Sequence, residues 1–470
     1  MAVGGQPVER LRQYLRQLSP AARALLIAEL ERALLSGAEI PGGDLVLQEV
    51  RRAVREADEP APRINNPARQ FFRAIDPFVV GDPPGLKHPG RIARASLESI
   101  WAWIGRDLLP GAVKTYADDI SDALIANDVA GCEHLTRSLQ DRVADQIEHA
   151  LIAAHEDEKA RRRLAAQVGT PRALEDLQDL ARILKARDAL TFLGDRLPGH
   201  IQNLADSHLD GVKALLDSPA ARGADVLPYA LIVVMSRLAA PWQLIRIATK
   251  AARSDDAARV AASPYAPAVS IVLAETERMV GELQIDLRRG SSVAVTSLLK
   301  CIHDASRGLR TELDLAVDSS WGRQLAALRA EISSLLKAEI ESAPGRVRRL
   351  LRPRPVSEIA AGSTLDLGDV ADTEALIELV GACRNYAGEL AISEMTTRCY
   401  HEIEQYLDTG TQPLLETLRN ATAGERPFRQ SQVEAAVRFC AKVFGQEYAS
   451  LLTRAAEVAA QRERKAVARA

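Results

Sequence analysis

Two groups of side chains in this sequence could do chemistry. The first is a mixed cluster of rings and cations. Phe71, Phe72, Phe78, Trp101, Trp103 and Tyr116 are six of the 19 aromatic residues, gathered into 46 positions. Arg69, Arg73, Lys87, His88, Arg91 and Arg94 interleave with them. Rings beside cations suit an anionic partner, because the ring gives apolar contact area and the cation supplies charge. The competing reading puts the rings in the core of a small subdomain and leaves the arginines as its solvated face. The second group is Asp118, Asp119 and Asp122 in YADDISD. Carboxylates at i, i+1 and i+4 of a helix can hold Mg²⁺ ions that grip a diphosphate. The competing reading is a solvated acidic helix. Residues 111–160 carry four basic and eleven acidic side chains, a local balance of −7.

Other constellations are weaker in their spacing. His134, His149 and His155 lie beside Glu133, Glu148 and Glu156. No pair of these histidines is three or four residues apart, as two ligands on one helical face require. Cys132, Cys301, Cys383, Cys399 and Cys440 show no CxxC spacing and read as free thiols. Neither GxxxxGK[ST] nor GxGxxG occurs, which argues against a P-loop nucleotidase or a Rossmann dehydrogenase. A basic run follows at Arg346, Arg348, Arg349, Arg352 and Arg354. It precedes residues 356–420, where three basic and twelve acidic side chains give −9. The run could touch anionic lipid weakly over 346–354, or fold back on the acidic segment behind it.

The DDxxD spelling of Asp118, Asp119 and Asp122 resembles the metal-binding motif of isoprenoid synthases. The resemblance covers five residues. It implies a Mg²⁺-dependent all-α enzyme acting on an isoprenoid diphosphate, with these aspartates as metal ligands. A second Asp-rich motif is missing from the sequence, since Asp255-Asp256 lacks a third carboxylate.

The elements that must position these residues are helical. Val129, Cys132, Leu135, Leu139, Val143, Ile147 and Leu151 recur at spacings of three and four, which places them on one helical face. Asp128 can cap this helix, and Gly169 with Pro171 ends it. The polar stretch His155–Arg163 is read as an emergence into solvent rather than a break. Three further stripes run 272–287, 295–313 and 321–340. Antiparallel packing of these helices is preferred over one bent rod. Strand signals are nearly absent, and Asp366–Asp369 (DLGD) reads as a loop. Leu227–Met235 is too short to span a membrane and reads as a buried helix.

The chain has 470 residues, 60 Lys+Arg against 63 Asp+Glu, and 47% hydrophobic residues. That charge balance argues against a general nucleic-acid coat protein, and the apolar fraction argues against wholesale disorder. The fold expected is all-α: long amphipathic helices in elongated, coiled-coil-like bundles with essentially no β-sheet. Its expected organisation is an N-terminal helical arm over 1–60, a helical domain with the aromatic-basic segment over 61–195, a long-helix bundle over 196–350 and a C-terminal helical module over 351–470. Proline-rich linkers are expected at Glu59–Asn66, Asp76–Pro89 and Arg352–Gly368.

The function expected is that of a cytoplasmic interaction or scaffold protein without a cofactor. It would bind a protein partner through Arg69, Phe71, Phe72, Arg73, Lys87, His88, Arg91, Arg94, Trp101 and Trp103. Self-association through leftover apolar stripe is a further expectation. The alternative is the Mg²⁺-dependent enzyme, with Asp118, Asp119 and Asp122 as its metal site.

Overall fold

The structure, a computed structural model, describes residues 11, 14–15, 18–35, 40–56, 66–81, 87–219, 221, 223, 225–289 and 292–467. The protein is essentially all-α, as its periodicity predicts; the described residues form 19 α-helices and one two-stranded parallel sheet. The linker expected at 59–66 falls almost wholly outside the described residues, as does the centre of the one at 76–89.

The chain divides into two compact units. One comprises residues 1–82, 86–198 and 214–236; the other comprises 83–85, 199–213 and 237–470. In the first unit, α1 (Pro20–Leu35) and α2 (Gly43–Glu56) share a small core of Leu15, Ile27, Leu30, Leu47, Val50 and Val54. Helix α3 (Pro67–Phe72) starts on Asn66, whose side-chain oxygen accepts from the Arg69 N–H at 2.7 Å. Strands β1 (Val79–Val80) and β2 (Ile92–Ala93) pair in parallel, Val79 opposite Ile92 and Val80 opposite Ala93. The chain continues through α4 (Arg94–Trp103), α5 (Pro110–Ile125) and α6 (Val129–Glu156).

Helix α6 does not run on through the polar stretch. Asp157 is extended, and its carboxylate accepts from the Lys159 and Ala160 N–H groups. That satisfies two donors of a new helix, α7 (Glu158–Val168), so the charged run marks a helix start. Gly169, at φ 93°, ends α7. Helix α8 (Pro171–Arg196) then runs with Leu177, Leu180, Ile183, Leu184 and Leu193 buried. Helix α10 (Leu227–Met235) completes this unit and is buried at every residue except Pro228, as its apolar sequence predicts.

Helix α9 (Asp206–Leu216) precedes α10 in the chain, and α11 (Ile245–Ala252) and α12 (Ala257–Ala261) follow it. The rest of the second unit is an up-and-down bundle. It is built from α13 (Pro267–Arg289), α14 (Ser292–Glu312), α15 (Ser320–Leu351), α16 (Leu367–Leu390), α17 (Ser393–Arg419), α18 (Arg426–Val443) and α19 (Gln446–Val467). Side-chain bonds fix the directions. Trp321 donates to Ser270 at 3.3 Å, so α13 and α15 start side by side. Arg329 donates to the Glu389 carbonyl at 2.7 Å and Arg349 meets Asp369 at 3.4 Å, so α15 and α16 are antiparallel. Arg438 and Lys442 of α18 pair with Glu374 and Glu378 of α16, which makes those two parallel. The preference for antiparallel packing over a bent rod therefore holds. The DLGD segment is not a loop: Asp366 caps α16 by accepting from the Gly368 and Asp369 N–H groups at 2.7 and 3.0 Å.

Candidate functional site

The aromatic-basic segment folds with its rings inward. Phe71 is fully buried, and Phe72 and Trp103 are nearly so. The centroids of Phe71 and Phe72 lie 5.3 and 6.0 Å from that of half-buried Trp101, and Trp101 packs edge-on to Tyr116. Phe78, which is fully buried, meets the Tyr229 ring at 6.0 Å. The hydroxyl of Tyr116 lies 3.0 Å from that of Thr136, and burial pushes it up to about 12. The cations divide. Arg91 donates to the Pro77 carbonyl at 3.1 Å, Arg69 meets Asp76 at 3.5 Å, and His88 is buried. Arg73 and Arg94 are exposed and make no side-chain bond among the described residues. The segment thus exposes these two cations and part of Trp101, not a continuous face of rings.

Lys87 does something the sequence did not suggest. Its ammonium binds Asp176 at 2.6 Å, Asp179 at 2.8 Å and the Arg91 carbonyl. Both acids lie on α8, three residues apart and therefore on one face. Asp176 also accepts from the Ala93 N–H at 2.9 Å. Asp179 accepts from the Gly90 N–H at 3.0 Å and the Tyr229 hydroxyl at 2.7 Å. Burial, with Asp179 alongside, raises the Tyr229 hydroxyl above its ordinary value. Gly90 sits at φ 75°, and a Cβ there would come within 2.5 Å of Ile232, so no other residue fits without displacement. Every charge in this cluster meets an opposite one or a donor. Its geometry ties the segment 87–93 and α10 to α8.

Asp118, Asp119 and Asp122 are all exposed on α5. Asp119 is rotated about 100° from Asp118 by the helical step. Among the described residues no three His, Cys, Asp or Glu side chains gather as a metal site would require. The five cysteines are free; Cys301 is exposed and the other four are buried. Burial alone pushes the Cys383 thiol up to about 12, and burial with Asp408 nearby does the same to Cys440.

The basic run 346–354 lies at the end of α15 and just after it. Arg348 meets Glu402 at 2.6 Å, Arg349 meets Asp369 at 3.4 Å and Arg352 meets Glu358 at 3.9 Å. Arg354 lies over the Phe428 ring, 5.1 Å from its centroid.

An open cleft of about 820 Å³ lies within the second unit. Its floor is Ile377, Gly381 and Ala382 of α16 with Ala441 of α18, all small apart from the isoleucine. Lys300 of α14, Arg384 of α16 and Lys442 of α18 bring positive charge; Glu378 is the acid among the lining residues. Lys442 is paired with Glu378, and that bond raises its ammonium above the usual lysine value. Arg384 lies over the Tyr400 ring at 4.7 Å and reaches Glu404 only at 3.9 Å. Lys300, Ser297 and Asn385 are exposed, and their side chains make no hydrogen bond or ion pair among the described residues. Tyr386 also lines the cleft, and its ring meets that of His303 at 5.1 Å in a tilted arrangement.

Sequence reasoning missed both the Lys87 cluster and the cleft. The signal for the first was present: Asp176 and Asp179 interrupt an apolar stripe of α8. The cleft draws on residues 296 to 442, and no local spacing relates them. The chain matches no protein-family model, no curated protein and no solved structure.

Proposed function

We propose that this is an interaction protein, a helical scaffold that binds a protein partner in the cleft of the second unit. The observation that carries the reading is the state of the cleft's polar groups. In the aromatic-basic segment Lys87 is consumed inside the fold by Asp176 and Asp179, and the exposed Arg73 and Arg94 accompany rings that are mostly buried. In the cleft, Lys300, Ser297 and Asn385 are held on helices beside an apolar floor and are left unmet among the described residues. Convergent polar groups over apolar surface are what a recognition site presents. The exposed, ungathered Asp118, Asp119 and Asp122 give no comparable support to diphosphate chemistry.

A reducing compartment, the cytoplasm, belongs to this reading. The five free thiols support it. No helix among the described residues is long and apolar enough to cross a membrane.

The test is a photo-crosslinking residue placed at Ser297 in the native host, with a second at Ser450, exposed on α19, as control. A protein trapped from position 297 and not from 450, which then binds the purified protein, is the expected result. It should be lost in a Lys300→Glu/Asn385→Asp variant. Identical trapping from both positions, or none from 297, would defeat the proposal.

A further inference from the structure

Resting on that reading of the cleft, we infer that its occupant is an acidic amphipathic helix of a partner protein. Three observations lead there.

The first is the floor. Ile377 to Tyr386 covers nine helical steps, about 13.5 Å at 1.5 Å per residue, or two and a half turns. Gly381 and Ala382 on α16, with Ala441 on α18, put almost no side chain into this length. Small residues let a second helix approach to the ordinary interaxial distance of about 8–10 Å. A Cβ built on Gly381 would meet only Tyr400, at 3.8 Å, so the space above the glycine is open.

The second is the backbone. The cleft is walled by α14, α16, α17 and α18, whose N–H and C=O groups are spent within their own helices. An extended peptide would find no edge strand to pair with, and its backbone polar groups would be covered without partners. A helix arrives with those groups already satisfied.

The third is charge. Three cations face one carboxylate around the lining, and the three are not equivalent. Lys442 is held by Glu378 and Glu374. Lys300 is unpaired among the described residues, and the Arg384 guanidinium lies 4.7 Å from the Tyr400 ring centroid with only a long contact to Glu404. A guanidinium beside a ring keeps N–H donors for a carboxylate, which its planar fork can bind in bidentate fashion. The occupant therefore carries Asp or Glu on the flanks facing Lys300 and Arg384. Alanine or leucine at i, i+4 and i+7 lies on the floor.

Fluorescence anisotropy on the full chain tests this with a labelled 18-residue helical peptide, apolar on one face and glutamate on its flanks. Its comparators carry lysine for glutamate, a central proline, or the same composition scrambled. The acidic helix should bind at least tenfold tighter than any of the three. Lys300→Glu/Asn385→Asp should weaken it at least tenfold and favour the lysine peptide instead. Gly381→Leu should block it while leaving the melting temperature no lower than wild type, since it replaces a mid-helix glycine. Equal binding of the scrambled or proline peptide, tighter binding of a single-stranded oligonucleotide, or competition by millimolar inorganic phosphate would each overturn the inference. If the peptides fail while a partner is still trapped from position 297, the helix is wrong and the interaction reading stands. If both fail, both fall.

Discussion

Lys87→Met should cost the first unit about 3–5 kcal/mol, the range for removing one partner of a buried ion pair. The structure sets the size. Asp176 is fully buried and Lys87 supplies its opposite charge at 2.6 Å. Arg172 approaches only to 3.8 Å, too long to replace it. Asp179 loses a contact of 2.8 Å but keeps the Gly90 N–H and the Tyr229 hydroxyl. Methionine fills the same volume, so the loss is one of charge rather than packing. In a unit of this size, roughly 2–4 °C of melting temperature follows each kcal/mol, so the shift should be about 10 °C. Trp101 and Trp103 report on this unit, while Trp242 and Trp321 lie in the other. Urea unfolding by tryptophan fluorescence should therefore show one early transition moved and one late or unmoved. Tyr229→Phe, which removes a single bond to a charged acceptor, should cost less, about 1.5–3 kcal/mol. Adding Asp176→Asn to Lys87→Met should recover part of the loss, because the two residues share one interaction. A Lys87→Met variant within about 1 kcal/mol of wild type would refute the argument that this cluster holds 87–93 and α10 on α8.

Four further outcomes follow from the same structure. Gly381→Ala should raise the stability of the second unit by about 0.8–1 kcal/mol, the propensity gain of a helix interior, since its Cβ meets only Tyr400 at 3.8 Å; calorimetry decides it. Iodoacetamide at pH 8 should add one label to the native chain, at exposed Cys301, and five after unfolding; rapid native labelling of Cys383 or Cys440, whose thiols burial holds near 12, would contradict the structure. Mg²⁺ with pyrophosphate at millimolar concentration should leave the melting temperature unchanged in wild type and Asp119→Asn alike; a shift abolished by the substitution would restore the enzyme reading. The Tyr116 hydroxyl, ordinary at 10 when unfolded and near 12 when folded, favours the folded state below pH 10 and loses that contribution between 10 and 12. Tyr116→Phe should flatten part of the alkaline loss of stability over that window.

The helices were legible because their apolar residues repeat at three and four. Leu325, Leu328, Ile332 and Ile340 fall on the buried face of α15 as that spacing requires, whereas Leu335, which the spacing also put there, is only half-buried and its neighbour Leu336 takes the buried place. Starts were less legible where one side chain decides them. Asp157 and Asp366 sit in stretches whose composition suggests a solvated run and a loop, yet each begins a helix by capturing two N–H groups. The ring cluster showed its composition but not its direction. Phe71 and Arg73 are two residues apart, one fully buried and the other exposed, because two helical steps of about 100° each turn them to opposite faces. The cleft was illegible for a different reason. Ser297 and Lys300 look like any polar face of α14 until α16 and α18 are placed beside them.

The interleaving of the two units bears on how the chain is made. Residues 199–213 belong to the second unit, 214–236 return to the first, and 237–470 return to the second. During synthesis the first unit therefore cannot close when residue 198 has emerged. It waits for Tyr229, whose hydroxyl meets Asp179, and for the apolar side chains of α10. Until then Asp179 has Lys87 and the Gly90 N–H but not Tyr229, and the surface that α10 covers is open to neighbouring chains on the polysome. Ribosome pausing before residue 236 would lengthen that exposure, and expression of 1–198 alone would make it permanent.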